Sequence, residues 1–115
     1  MARITSHTLN AVDGSHAGGI AVTLIRIGAQ TPLFASQMDA GGRLSQEIDL
    51  TGVDPEAMYE LVFATGTYWV KRGFDDTHSP PVAEIVQRFQ MPDPSGTYHM
   101  PIILSPHGYS VWRSS

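Results

Sequence analysis

Apolar and polar residues alternate with a period of two in short runs along this chain, and glycine and proline break the runs apart. Residues 3–12 set Thr5, His7 and Leu9 on one face of a predicted strand and Ile4, Ser6 and Thr8 on the other. Residues 20–27 are apolar on both faces except at Thr23 and Arg26, and residues 31–36 form a weaker strand. Residues 44–50 read as a half-exposed strand. Residues 58–64 place Tyr59, Leu61 and Phe63 on one side, as a core strand does, and residues 82–90 form another. The last twenty residues form two more strands, joined across Ser105-Pro106-His107-Gly108.

One stretch has a different rhythm. Residues 65–73 offer threonine caps, a turn or two of helix formers, and Gly73 as a stop signal, so they predict one short helix anchored by Tyr68 and Trp69. The count is about eight short strands and one helix, with turn signals every 8–12 residues. That pattern predicts an all-β sandwich.

Composition narrows the function classes. A chain of 115 residues suits a single domain spanning 1–115. A formal charge of −4 and a pI near 5.6 give no general attraction to nucleic acid or to an anionic membrane. The absence of cysteine excludes disulfides, thiol chemistry and cysteine zinc sites. No apolar run approaches the ~20 residues of a membrane span. The amino-terminal MARITSHTLN lacks the apolar centre of a secretory signal, so a cytoplasmic location is expected.

Five histidines, at 7, 16, 78, 99 and 107, show no metal-ligand spacing, and no metal is expected. His16, His78 and His107 fall in loops or turns and read as solvated. His7 and His99 each fall within a predicted strand. Either each is a hydrogen-bonded histidine at a sheet surface, or the two meet and share proton transfer near neutral pH. Arg43 follows Gly41-Gly42 in a tight turn, where glycines permit positive φ and close backbone approach. Arg113 follows an apolar run as the third residue from the end, where a partner or ligand would be needed to order it.

Several blocks together resemble the 5-hydroxyisourate hydrolase family, also called transthyretin-like proteins, nearly end to end. Ser6-His7-Thr8-Leu9-Asn10 is similar to its S/T-H-V/I-L-D/N signature. Gly41-Gly42-Arg43 stands where the family usually has Asp-Gly-Arg, and Phe63 to Trp69 is similar to its F-x-x-G-x-Y-W/F segment. Residues 98–106 resemble Y-H-V/I-P-L-L-L-S-P, and residues 109–115 stand where the family ends in Y-x-x-Y-R-G-S. Gly41, Trp112 and Ser114 depart from the usual Asp, Tyr and Gly.

The resemblance implies a transthyretin-like sandwich of two four-stranded sheets with one short helix. It also implies a homotetramer, a dimer of dimers, with sites in the channel between dimers. His7, Arg43, His99 and Ser115 would be catalytic, and Trp112, Arg113 and Ser114 would join His7 and Arg43 in binding substrate. The implied reaction is hydrolytic ring opening of 5-hydroxyisourate in urate breakdown, by water attack without metal or organic cofactor. Two other readings compete: a non-catalytic small-molecule carrier of transthyretin type, and a hydrolase of a related cyclic ureide.

Overall fold

The computed structural model describes residues 1–114; Ser115, expected at the site, lies outside the described residues. Its strands are β1 (Ala2–Asn10), β2 (Ala21–Arg26), β3 (Phe34–Gln37), β4 (Arg43–Ile48), β5 (Met58–Ala64), β6 (Ile85–Gln90), β7 (Thr97–His99), β8 (Ile102–Ser105) and β9 (Gly108–Val111). The helix α1 (Gly66–Val70) follows β5. No helix among the described residues is long and apolar enough to cross a membrane.

The strands form two sheets. One runs β4-β1-β8-β9 with β7 also paired to β1, and the other runs β3-β2-β5-β6. Among the described residues nine strands appear where about eight were expected, because residues 97–105 are broken in two. Thr97–His99 pairs in parallel with residues 3–5 of β1, and residues 102–104 pair in parallel with residues 8–10. Pro101 lies at the break, where it has no N–H to give the ladder. β7 and β8 therefore lie end to end along one edge of β1, and the first sheet stays four strands wide, like the second.

The core follows from strand alternation. Ile4, Met100, Ile102 and Leu104 of the first sheet are fully buried, as are Val22, Leu24, Leu61 and Phe63 of the second. Both sheets contribute to one apolar cluster. On β1 the inward face turns polar past Ile4, yet Ser6, Thr8 and Asn10 are buried and paired. The Ser6 hydroxyl donates to the Met100 carbonyl at 2.7 Å, the Thr8 hydroxyl donates to the Ala17 carbonyl, and Asn10 Nδ2 donates to the Tyr68 hydroxyl at 3.0 Å. Buried polar groups persist because each finds a partner.

α1 is shorter than residues 65–73 suggested. Thr65 occupies the cap position but makes no side-chain cap bond; its hydroxyl donates to the Val82 carbonyl instead. Gly73, at φ +90°, supplies the expected stop. Tyr68 and Trp69 are buried and meet edge to face at 5.1 Å, which anchors the helix to the sheets as predicted. Tyr68→Phe removes the acceptor for Asn10 and leaves a buried amide unpaired. A loss of about 1–3 kcal/mol in urea unfolding is expected, with β1 loosened next to His7.

Candidate active site

The odd-numbered residues of β1 line the outer face of the first sheet, and the pairing of neighbouring strands extends that face. In β1 and β4, His7 lies opposite Arg43, Thr5 opposite Ser45, and Arg3 opposite Glu47. On the other edge Thr5 lies opposite His99. One polar surface thus gathers His7, Arg43 and His99, three of the expected residues, from three strands.

Each is held differently. His99 Nδ1 is 2.8 Å from the Thr5 hydroxyl, a tether that leaves Nε2 as the ring nitrogen available to a reactant. Arg43 enters β4 from a turn that the Asp39 carboxylate ties together, accepting from the Gly41 and Arg43 backbone N–H groups at 2.9 Å each. The Gly42 N–H donates to the Asp39 carbonyl at 3.0 Å, and the Thr8 N–H donates to the Gly42 carbonyl at 2.7 Å. The carboxylate the family usually carries beside its arginine is absent at Gly41, and Asp39 secures the turn in this chain. Of the two glycines only Gly42 has positive φ, at +72°, and a Cβ there would meet the Thr8 carbonyl at 2.7 Å.

The edge of β1 changes partner next to His7. β4 pairing ends at Arg43, and the loop after β1 folds back onto Thr8, Leu9 and Asn10. This return brings His16 to His7, with His7 Nε2 2.7 Å from His16 Nδ1 and the rings stacked at 4.8 Å. The sequence reading of His16 as a solvated loop residue holds for its exposure but missed its contact with His7. The available signal was Asp13-Gly14, a turn pair that sends the chain back along the strand it has just left.

The carboxy-terminal residues divide. Ser114 forms an antiparallel bridge with His99, its N–H donating to the His99 carbonyl at 2.9 Å, so the two residues share a face. Arg113, one residue earlier, takes the opposite side. Its guanidinium donates to the Gln90 carbonyl at 3.0 Å and lies 4.9 Å over the Tyr98 ring. It is not brought to His7 in this chain; those two contacts order it. Trp112 is exposed, its N–H donating to the Pro101 carbonyl at 3.4 Å.

The surroundings push His7 below the ordinary histidine pKa. Burial comes first, followed by the positive charge of Arg43, then His16, with His99 smaller; a hydrogen bond to the Gly41 carbonyl acts the other way. The folded state then binds this proton less readily than the unfolded chain. Stability from this group is present in full above about pH 6.5 and is lost as pH falls through the folded pKa. His7→Gln should flatten that acid loss, as read by melting temperature across about pH 5–8.

A fixed cation, a histidine held towards its neutral form and a second histidine with an open nitrogen can orient a carbonyl, polarise it and move a proton. The HIUase/Transthyretin family model matches residues 4–114. The chain belongs to this family. It is 34% identical over 118 residues to a 5-hydroxyisourate hydrolase of Pseudomonas aeruginosa, covering 100% of this chain and 93% of that protein. It is also 32% identical over 115 residues to a 5-hydroxyisourate hydrolase of Deinococcus radiodurans, covering 97% and 95%. The fold matches the structure of Klebsiella pneumoniae 5-hydroxyisourate hydrolase with a TM-score of 0.77 at 24% identity, each chain covered in full. It matches sea bream transthyretin in complex with thyroxine equally, at 0.77 and 24% identity, over 96% of this chain and 93% of that one. The fold alone is therefore shared by an enzyme and by a thyroxine-binding protein, and the function has to be argued from the face that carries His7, Arg43 and His99.

Proposed function

We propose that this chain is a 5-hydroxyisourate hydrolase that opens the substrate ring to 2-oxo-4-hydroxy-4-carboxy-5-ureidoimidazoline, a step in urate breakdown. The observation that carries the reading is the convergence of His7, Arg43 and His99 on one sheet face, in a chain whose full-length relatives are named for that activity. A transthyretin-type carrier of apolar ligands is less consistent with that face, because charged and polar groups are costly to desolvate against an apolar molecule.

His99 Nε2 takes the proton from the attacking water, with Nδ1 tethered to Thr5. His7, held towards the neutral form, positions that water opposite Arg43. As water adds, the carbonyl oxygen gains negative charge, and Arg43 stabilises it more strongly than it does the uncharged ground state. The imidazolium of His99 then returns its proton to the departing ring nitrogen as the C–N bond breaks. Ser114 edges the site from the His99 side, Ser115 is assigned a catalytic role, and Trp112 supplies a flat wall. Arg113 binds substrate only after leaving Gln90, so its replacement should raise KM more than it lowers kcat. No metal or organic cofactor enters the scheme, and a cytoplasmic location fits it.

A single copy presents these groups on an open sheet face, with Arg43 exposed. The cavity of about 330 Å³ at the Leu50, Tyr59 and Met91 end of the sandwich contains none of them. A homotetramer that sets two such faces across a channel would exclude water and strengthen every charge in the site. The direct test adds the protein to freshly generated 5-hydroxyisourate and follows the decay of its absorbance. Accelerated decay is expected. Spontaneous-rate decay, together with uptake of an aromatic ligand, would establish the carrier instead.

A further inference from the structure

His16 takes no part in the scheme above, yet no other side chain is hydrogen-bonded to the His7 ring among the described residues. We infer that His16 is a positioning residue acting through His7: the two imidazoles form a hydrogen-bonded pair that fixes the tautomer and orientation of the His7 ring. The inference rests on the reading of His7 as a working member of the site.

A separation of 2.7 Å between two ring nitrogens requires one hydrogen between them. Two hydrogens there would face each other, and none would leave two lone pairs in contact. Whichever ring donates, the other must accept, so each ring holds its neighbour to one tautomer and His7 Nδ1 stays outside the bridge. The neutral pair carries two ring hydrogens, and a third leaves one hydrogen still between His7 Nε2 and His16 Nδ1. A fourth would put N–H groups on both facing nitrogens, and the bridge breaks.

Every charged or titratable neighbour of His7 acts in the same direction. Positive charge on Arg43 of β4, on His16 of the loop and on His99 of β7 each disfavours the charged form of His7. The stacked rings at 4.8 Å with a 23° tilt also limit rotation of His7 about its side chain. Because the loop is short, the coupling is local: Leu9 bridges His16, and the Ala17 N–H donates to the Thr8 carbonyl at 2.9 Å. His16 is thereby fixed against the strand that carries His7.

The experiment records imidazole ¹⁵N spectra of the full chain from about pH 5 to 8, for wild type, His16→Gln and His16→Ala. In wild type the His7 ring should hold a single tautomer, and the pair should titrate in two separate steps. In His16→Ala the His7 midpoint should rise by about half a unit or more, with mixed tautomers. His16→Gln, whose amide can donate or accept beside Nε2, should restore a single tautomer. Alongside, the acid limb of kcat/KM for 5-hydroxyisourate should move to higher pH in His16→Ala. An unchanged His7 midpoint and tautomer in His16→Ala overturns the pair, whatever the activity. Coupled titration in a protein that leaves 5-hydroxyisourate untouched upholds the pair and rejects the hydrolase reading alone.

Discussion

His99→Ala lowers kcat/KM for 5-hydroxyisourate by about 10²–10⁴-fold, the range that removal of a general acid–base group produces. The loss should fall mostly on kcat, because the proton moves in the transition state and not on binding. Stability should change little. His99 is half-buried on the outer face, and water can replace it beside the Thr5 hydroxyl, so a cost within about 1 kcal/mol is expected from thermal unfolding. Thr5→Val separates orientation from chemistry. It keeps the imidazole but removes its 2.8 Å tether, and a smaller loss, about tenfold, should result. Wild-type rates in both His99→Ala and His7→Ala would remove the proposed mechanism.

Gly42→Ala should destabilise the protein by about 2 kcal/mol or more. The positive φ of +72° costs an L-residue about 1–2 kcal/mol before any contact is considered. The new Cβ would also meet the Thr8 carbonyl at 2.7 Å and the Thr8 hydroxyl at 3.0 Å, both buried and already engaged. Relief requires the turn to move away from β1, and Arg43 follows Gly42 directly. Activity should therefore fall together with melting temperature. Gly41→Ala is the control: its Cβ would meet nothing nearer than the Asp39 carboxylate at 3.4 Å, so both readouts should stay close to wild type. Equal effects at the two glycines would mean that close approach to Thr8 does not position Arg43.

Much of the architecture was legible because strand alternation is a local property. The pattern across Thr5, His7 and Leu9 against Ile4, Ser6 and Thr8 gave the two faces of β1 as found, and Tyr59, Leu61 and Phe63 gave the buried face of β5. Strand limits were less legible where neighbours decide them. Residues 82–84 read as strand, but the Val82 N–H donates to the Pro106 carbonyl and the Ala83 carbonyl accepts from Gly66, so β6 starts at Ile85. The weak strand at 31–36 moves to Phe34–Gln37, the stretch that finds partners on β2.

The sequence by itself determined which residues can do chemistry: two histidines on strand positions, an arginine after a double glycine, and a family pattern that joins them. Tertiary structure decided which of them meet. Arg113 and Ser114 are adjacent in the chain, yet the bridge between Ser114 and His99 sends Arg113 to the other side, against Gln90 and Tyr98. His16 looked like a loop residue until the turn at Asp13-Gly14 laid it against His7. The physical reason is the same in both cases. Alternation places a side chain on a face of its own strand, whereas the partner it meets there depends on register between segments, and register is set by pairing across the fold.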